Sequence, residues 1–332
     1  MATHLVGFDI GGTKCAVVLG RSGAAKVEVI DRIAFATEVA RGPEYALWRL
    51  ERETREVLAR HGIAPTDLAG IGISCGGPLD SARGLVLSPP NLPGWDALPI
   101  VERFGKAFGV PVHLQNDANA CALAEWKWGA GRGTRHLVFL TFGTGMGAGL
   151  ILNGQLYSGA CDLGGEVGHI RLAEEGPLGY GKKGSFEGFC SGGGLAHLAR
   201  QQVRDAWAAG RTTRLCAEKK DLEGITALQV AMAAREGDAV ALEAMEICAR
   251  YLGRGLAILI DVLNPEIIVI GSIFARQREL LWPTAERIVR EEALDLAARA
   301  CRVVPAELGE AIGDYACLSV AEGVGCGAGS GG

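Results

Sequence analysis

The residues able to do chemistry in this sequence are two glycine-rich turns and a few carboxylates placed beside them. Gly11-Gly12-Thr13-Lys14 could cradle phosphate, because backbone N–H groups reach oxygens where side chains are missing, and the turn adds a hydroxyl and a cation. It is not a Walker A loop. The GxxxxGK[ST] spacing is absent, and a strand pattern follows where that motif requires a helix. Asp9, at the end of the preceding strand, has two readings: a carboxylate that holds Mg²⁺ through water, or a cap on the turn. The second turn, Gly143-Thr144-Gly145-Met146-Gly147-Ala148, matches a relaxed dinucleotide fingerprint, with Glu166 at a tolerable distance for a ribose-binding acid. That fingerprint needs a helix after its glycines. Here an apolar stretch leads to Asn153-Gly154, a hairpin turn signal, so a nicotinamide-dependent oxidoreductase is rejected.

Asn116-Asp117-Ala118-Asn119-Ala120 follows the extended segment 110–115 and opens a helix. Asn and Asp are favoured helix caps. The same geometry would let the Asp117 carboxylate accept a hydroxyl proton during phosphoryl transfer, and residue type alone leaves both readings open. Glu166 and His169 lie three apart in Gly164-Gly165-Glu166-Val167-Gly168-His169. They could address vicinal hydroxyls, or form an ordinary ion pair. Glu187, within Gly184-Ser185-Phe186-Glu187-Gly188, carries the same two readings.

These groups must be positioned by alternating strands and helices, which argues for α/β architecture. Strands are expected at 5–10, 16–19, 70–74 and 266–270, an extended segment at 26–36, and two further strands within 136–152. Tyr45, Trp48, Leu50, Val57 and Leu58 recur at helical spacing in 44–61. A second helix is expected over 118–127, and a long one over 238–262 that stops at Asn264-Pro265. The glycine-rich tail 323–332 is expected to fray. Strand, glycine turn and strand occur twice, in LVGFDIGGTKCAVVL and LVFLTFGTGMGAGLIL. The repeat suggests two related halves that face one another across a cleft.

Bulk properties narrow the class. The chain has 332 residues, 48% hydrophobic and 21% charged, which excludes wholesale disorder. A net charge of -5 gives no footprint for nucleic acid. No apolar run is long enough to span a bilayer, and the N-terminus reads as a strand rather than a secretory leader. Ten cysteines without a CxxC pair read as reduced core thiols, so the expected compartment is the cytoplasm.

Taken together, FDIGGTK (8–14), SCGGPLD (74–80), NLPGW (91–95), NDANA (116–120), LTFGTGMGAGLILNGQLYSGA (140–160), GGEVGHI (164–170) and GSFEGFCSGGG (184–194) closely resemble the ROK (repressor, open reading frame, kinase) family. The resemblance implies the actin-like ATPase (ribonuclease H-like) fold. It also implies transfer of the ATP γ-phosphoryl group to a hexose or N-acetylhexosamine hydroxyl, usually O6, with glucose favoured. Carried over by position, Asp117 is the general base, and Gly77, Asn91, Asn116, Glu166, His169 and Glu187 are sugar-side residues. Asp9 with Gly11, Gly12, Thr13 and Lys14, and Thr144, Gly145 and Gly147, would serve Mg²⁺ and ATP phosphates; Gly271 lies near the adenine. A small lobe of 1–118, to which 311–332 is a candidate to return, a large lobe of 119–310 and a homodimer are expected on the same ground. Family regulators carry a helix-turn-helix segment ahead of the first glycine turn; only eight residues precede Asp9 here, so DNA binding is not expected. A sugar sensor without activity is the remaining rival. One departure stands out. The family's zinc cysteines fall on Leu178, Tyr180 and Ser185, none of which is a ligand in that setting, so structural zinc is not expected and packing around Leu178, Tyr180 and Phe186 is expected to hold the loop instead.

Overall fold

The computed structural model describes residues 3–23 and 26–323. Its first sheet begins as an antiparallel meander of β1 (His4–Ile10), β2 (Lys14–Arg21) and β3 (Glu28–Ala36). Helix α1 (Pro43–Arg60) then leads to β4 (Leu68–Cys75), which pairs parallel to β1. A short antiparallel pair, β5 (Leu79–Asp80) and β6 (Leu85–Val86), and helix α2 (Ile100–Phe108) follow. Strand β7 (Val112–Asn116) closes the sheet parallel to β4, and helix α3 (Asp117–Trp128) starts directly from its end. The strand order is β3-β2-β1-β4-β7.

The second sheet repeats this plan. β8 (Leu137–Phe142), β9 (Met146–Leu152) and β10 (Gln155–Tyr157) are followed by a detached hairpin, β11 (Leu178–Gly179) and β12 (Lys182–Lys183). Helices α4 (Phe186–Phe189), α5 (Gly192–Ala208), α6 (Ala227–Arg235) and α7 (Ala239–Leu263) precede β13 (Ile267–Ile270). Helices α8 (Ile273–Glu292) and α9 (Asp295–Ala300) lead to β14 (Arg302–Pro305), parallel to β13. The order is β10-β9-β8-β13-β14. Counted along the chain, both sheets run third, second, first, fourth, fifth. The duplication read from the two glycine turns therefore extends to whole sheets.

Helix α10 (Ile312–Ala321) ends the described chain and packs on α3, β1 and β4. The chain divides into two compact units. The first holds residues up to Phe139, Gly149–Gly164 and those from Glu307 onward; the second holds Leu140–Ala148 and Gly165–Ala306.

In the first unit the β1 and β2 side chains alternate between two cores, as the two-residue period of a strand requires. Val6, Phe8, Ile10, Cys15, Val17 and Leu19 join α1 and α2 residues in one cluster, where Phe8 and Phe104 meet edge-on at 4.7 Å. Leu5, Ala16 and Val18 join Cys317 and Leu318 of α10 in the other. Burial on both faces explains the near-continuous apolar runs of these strands. Each fully buried large side chain contributes about 1.5–3 kcal/mol.

Some expectations need correction. Trp48 is not on the core face of α1; it is 48% exposed, with the Arg52 guanidinium over its ring at 4.8 Å. Ala46, Leu47 and Leu50 make the buried stripe instead. Cysteine burial is also not uniform: all nine described cysteines are free, but Cys161 is exposed. The tail expected to fray lies outside the described residues beyond Gly323. Among the described residues no helix is long and apolar enough to cross a membrane.

Candidate active site

The residues singled out by sequence divide between the two units. In the first unit, Ile10, Cys75 and Asn116 are in register at the ends of the parallel strands β1, β4 and β7. The Gly11–Lys14 turn, Gly77 and Asp117 therefore leave the sheet along one edge, the carboxyl edge at which open α/β sheets bind ligands.

Asn116 is the N-cap of α3, as its residue type suggested. The Ala118 N–H is shared between Asn116 Oδ1 at 2.9 Å and Asp117 Oδ1 at 2.8 Å. Asp117 Oδ2 has no hydrogen-bond partner among the described residues, so the cap holds the carboxylate without exhausting it. Asp117 is exposed by area yet crowded by protein atoms, and this dehydration raises its carboxyl above the usual range despite the backbone bonds. A carboxylate with a free oxygen and a raised pKa suits proton acceptance. Gly77 lies beside it: a Cβ there would stand 3.2 Å from Asn116 Nδ2.

The Gly11–Lys14 turn is closed by the Gly11 N–H donating to the Lys14 carbonyl at 3.0 Å. Thr37, at the end of β3, braces it from behind. Its hydroxyl donates to the Gly11 carbonyl at 2.6 Å, and its N–H to the Thr13 carbonyl at 3.0 Å. Thr13 and Lys14 remain exposed. Asn91 reaches the turn through Gly12, where a Cβ would collide with the Asn91 carbonyl and lie 2.7 Å from its Cβ. Asp9 titrates at about 6, raised first by burial and then by Asp314 and Asp117, against the pull of Arg32 and Lys14. Asp314, on α10, is itself held by Arg32 at 2.7 Å. Thr37, Arg32 and Asp314 were not found by sequence reasoning, since they lie far along the chain from the turn and in no glycine motif.

In the second unit, the Gly143–Gly145 turn joins β8 to β9. Thr141 Oγ1 accepts the Gly147 N–H at 2.9 Å, and the Gly192 N–H donates to the Gly143 carbonyl at 2.8 Å. Thr144 is exposed. Gly271 follows β13 and donates to the Leu140 carbonyl at 3.0 Å; the next residue, Ser272, brings its Oγ to 3.5 Å from a Cβ built on Gly143. Gly271 is thereby tied to β8, and Ser272 is the residue that approaches the glycine turn.

Glu187 lies on α4, whose N-cap Ser185 accepts the Gly188 N–H at 3.1 Å. Its Oε2 accepts the Met146 N–H at 3.1 Å, and a Cβ on Gly145 would stand 2.7 Å from the same oxygen. The carboxylate expected beside a sugar also closes the glycine turn. Glu166 immediately precedes the short 3-10 turn Val167–His169, and α4 packs on that turn, with the Phe186 N–H donating to the Ile170 carbonyl at 2.8 Å. Glu166, His169, Glu187 and the second glycine turn are thereby gathered in one unit.

Where the family's zinc cysteines would fall, the donors do not fit a metal: Leu178 and Tyr180 are 61% and 69% exposed, and Ser185 is fully buried. Of the three side chains expected to hold the loop, Phe186 is fully buried, while Leu178 and Tyr180 stay exposed. Backbone bonds also tie it: Leu172 and Ala173 N–H to the Gly184 carbonyl at 2.8 and 3.2 Å, and Gly184 N–H to the Pro177 carbonyl at 3.0 Å. Among the described residues no group of three or more His, Cys, Asp or Glu is placed to hold a metal. For Mg²⁺, Asp9 is a suitable hard oxygen donor, and one carboxylate with waters is an ordinary way to hold that ion.

Twin α/β sheets with the same strand order, each carrying a glycine turn between its first two strands, define the class as a duplicated α/β fold of the actin-like ATPase type. The chain belongs to the ROK family, whose model matches residues 5–321. It is 32% identical to a glucokinase of Thermotoga maritima over 86% of this chain and 87% of that protein. A ROK family glucokinase from Streptomyces griseus, solved in complex with glucose and AMPPNP, is 29% identical with a TM-score of 0.73, over 97% and 99% of the two chains. A ROK family transcriptional regulator, a homologue of the E. coli Mlc protein, superposes with a TM-score of 0.80 at 27% identity, over 95% of this chain and 77% of that one.

Proposed function

We propose that the protein transfers the γ-phosphoryl group of ATP to a hexose hydroxyl, with O6 of glucose as the favoured acceptor and Asp117 as the general base. The observation that carries this reading is the state of Asp117. One carboxylate oxygen is fixed by the Ala118 N–H, the other has no side-chain partner among the described residues, and dehydration raises the pKa. Asn116, Gly77, Asn91, Glu166, His169 and Glu187 are assigned to the sugar. Glycosyl hydroxyls both donate and accept, which matches carboxylates, an imidazole and an amide.

The Gly11–Lys14 and Thr144–Gly147 turns are assigned to ATP phosphates, with Gly271 toward the adenine. Bound at Asp9 through water, Mg²⁺ would neutralise charge on the phosphates. Phosphoryl transfer asks for positioning and electrostatic stabilisation more than covalent chemistry, so fixed backbone N–H groups and one oriented base suffice. Support also comes from the glucokinase relatives.

The likeness to a regulator supports a second reading, a sugar sensor without turnover. ADP release with Mg-ATP across glucose, mannose, fructose, allose, N-acetylglucosamine and N-acetylmannosamine decides between them. Turnover on one sugar, lost by about 10²–10⁴-fold in kcat on Asp117→Asn while sugar binding survives, supports the kinase. Sugar binding with no turnover on the whole panel supports the sensor. A loss below tenfold in Asp117→Asn removes Asp117 as the base.

A further inference from the structure

Beside His169 stands a feature that no chemistry yet assigned uses. The hairpin β11–β12 turns through Tyr180 and Gly181, at φ 43° and 76°. Two positive φ values in a two-residue hairpin loop demand the turn in which Asn-Gly is favoured, and a bulky aromatic is out of place at its first position. Tyr180 is 69% exposed, so burial does not compensate the strained backbone. Its ring instead meets the His169 ring edge-on, with centroids 5.0 Å apart at 74°. Strain kept at an exposed residue that touches a functional side chain points to a role in function.

The same hairpin holds His169 at a second point. Lys182 Nζ donates to the His169 carbonyl at 2.8 Å and forms no ion pair among the described residues. A lysine spent on one backbone carbonyl fixes the end of the Val167–His169 turn. The base of the hairpin is equally fixed: a Cβ on Gly179 would stand 2.6 Å from Ser185 Oγ and 3.0 Å from the Glu187 carbonyl carbon. The hairpin therefore rests on the helix that carries Glu187 and touches His169 through both its backbone and its ring.

We propose that Tyr180 and Lys182 are positioning residues for the His169 imidazole. The hairpin tip does the orienting that a metal-bound loop would otherwise supply. This rests on the assignment of His169 to the sugar. Both residues act through His169 and set the affinity for sugar, not for nucleotide.

The test separates the turn from the ring. Tyr180→Asn suits the left-handed backbone and removes the aromatic contact, so its thermal midpoint equals or exceeds that of the parent. Its KM for sugar rises by about tenfold or more, because small misplacements of a binding group are expensive, while its KM for Mg-ATP is unchanged. Tyr180→Phe keeps the parent KM for sugar. Lys182→Met raises the sugar KM with the nucleotide KM unchanged. The His169 ring-proton resonances move in Tyr180→Asn and Lys182→Met and stay in Tyr180→Phe. Parent sugar KM and unmoved His169 resonances in Tyr180→Asn would overturn the proposal. If the parent turns over no sugar, the kinase reading fails separately; sugar affinity by calorimetry and the His169 resonances then decide whether Tyr180 and Lys182 position the imidazole.

Discussion

Glu187 Oε2 accepts the Met146 N–H at 3.1 Å, which ties the helix bearing a carboxylate proposed for the sugar to the first residue of β9, directly after the glycine turn. One carboxyl group thereby has two potential tasks: one oxygen orders the turn, and the other is left for a hydroxyl. A residue serving only the sugar would alter only the sugar KM. Glu187→Ala is expected to raise the KM for both sugar and Mg-ATP, because the unanswered Met146 N–H leaves the turn free to reorganise. Hydrogen bonds to charged groups are worth about 1.5–3 kcal/mol, so about tenfold in nucleotide KM is the scale to look for. Steady-state kinetics with each substrate varied in turn measures it; an unchanged nucleotide KM assigns Glu187 to the sugar alone.

How much of this was legible follows from how local each relation is. The α3 cap could be read because Asn116, Asp117 and Ala118 are adjacent, and capping depends on residue type within one turn. The end of α7 was equally readable: Asn264 adopts φ 45°, a conformation Asn tolerates, just before Pro265. The duplicated sheets were readable only through their glycine turns, since strand order is set by pairing between distant segments. Trp48 misled because helical spacing does not say which apolar residue an arginine will cover on the outer face. Thr37 behind Gly11, Asp314 near Asp9, and Glu187 beneath Met146 join residues 26, 305 and 41 positions apart. Nothing in local pattern announces such meetings; packing of the sheet and helices creates them.

Asp9 gives a pH prediction for the protein without nucleotide or metal. Its carboxyl titrates at about 6 in the folded chain against an ordinary value of 3.8, so the folded state binds the proton more tightly. Its contribution to stability is therefore full below pH 3.8 and is lost as pH rises through about 6. Above pH 7 the ionised group is a net cost of about 2–3 kcal/mol, discounted for its partial exposure. Asp9→Asn removes the charge and keeps the size. Denaturant unfolding is expected to show the variant more stable than the parent by about 2 kcal/mol at pH 7.5, with the gap closing toward pH 4. A variant less stable at pH 7.5 would show that Arg32 and Lys14 outweigh burial at this position.

Glu125 carries the last prediction, because it fixes the helix that presents Asp117. It is fully buried in the last turn of α3, and its carboxylate spans three backbone donors. Oε1 accepts the Leu308 N–H at 2.9 Å, while Oε2 accepts those of Ala130 at 2.8 Å and Glu307 at 3.3 Å. Those bonds join the helix end to the segment that leads into α10, within one unit. Glu125→Ala strands all three N–H groups and opens a cavity, at about 1–3 kcal/mol for each buried donor left unpaired and less where water enters. Glu125→Gln is not a benign control: with one acceptor oxygen in place of two, it must turn an NH₂ toward a backbone N–H. Both variants are expected to lower the unfolding free energy, Glu125→Ala by about 3 kcal/mol or more and Glu125→Gln by less, in urea titrations. Surviving folded protein should keep the parent KM for sugar, since Glu125 lies two turns beyond Asp117 on α3 and touches neither glycine turn. A stable Glu125→Ala with altered sugar KM would reverse that order, making the residue a functional one and not a structural anchor.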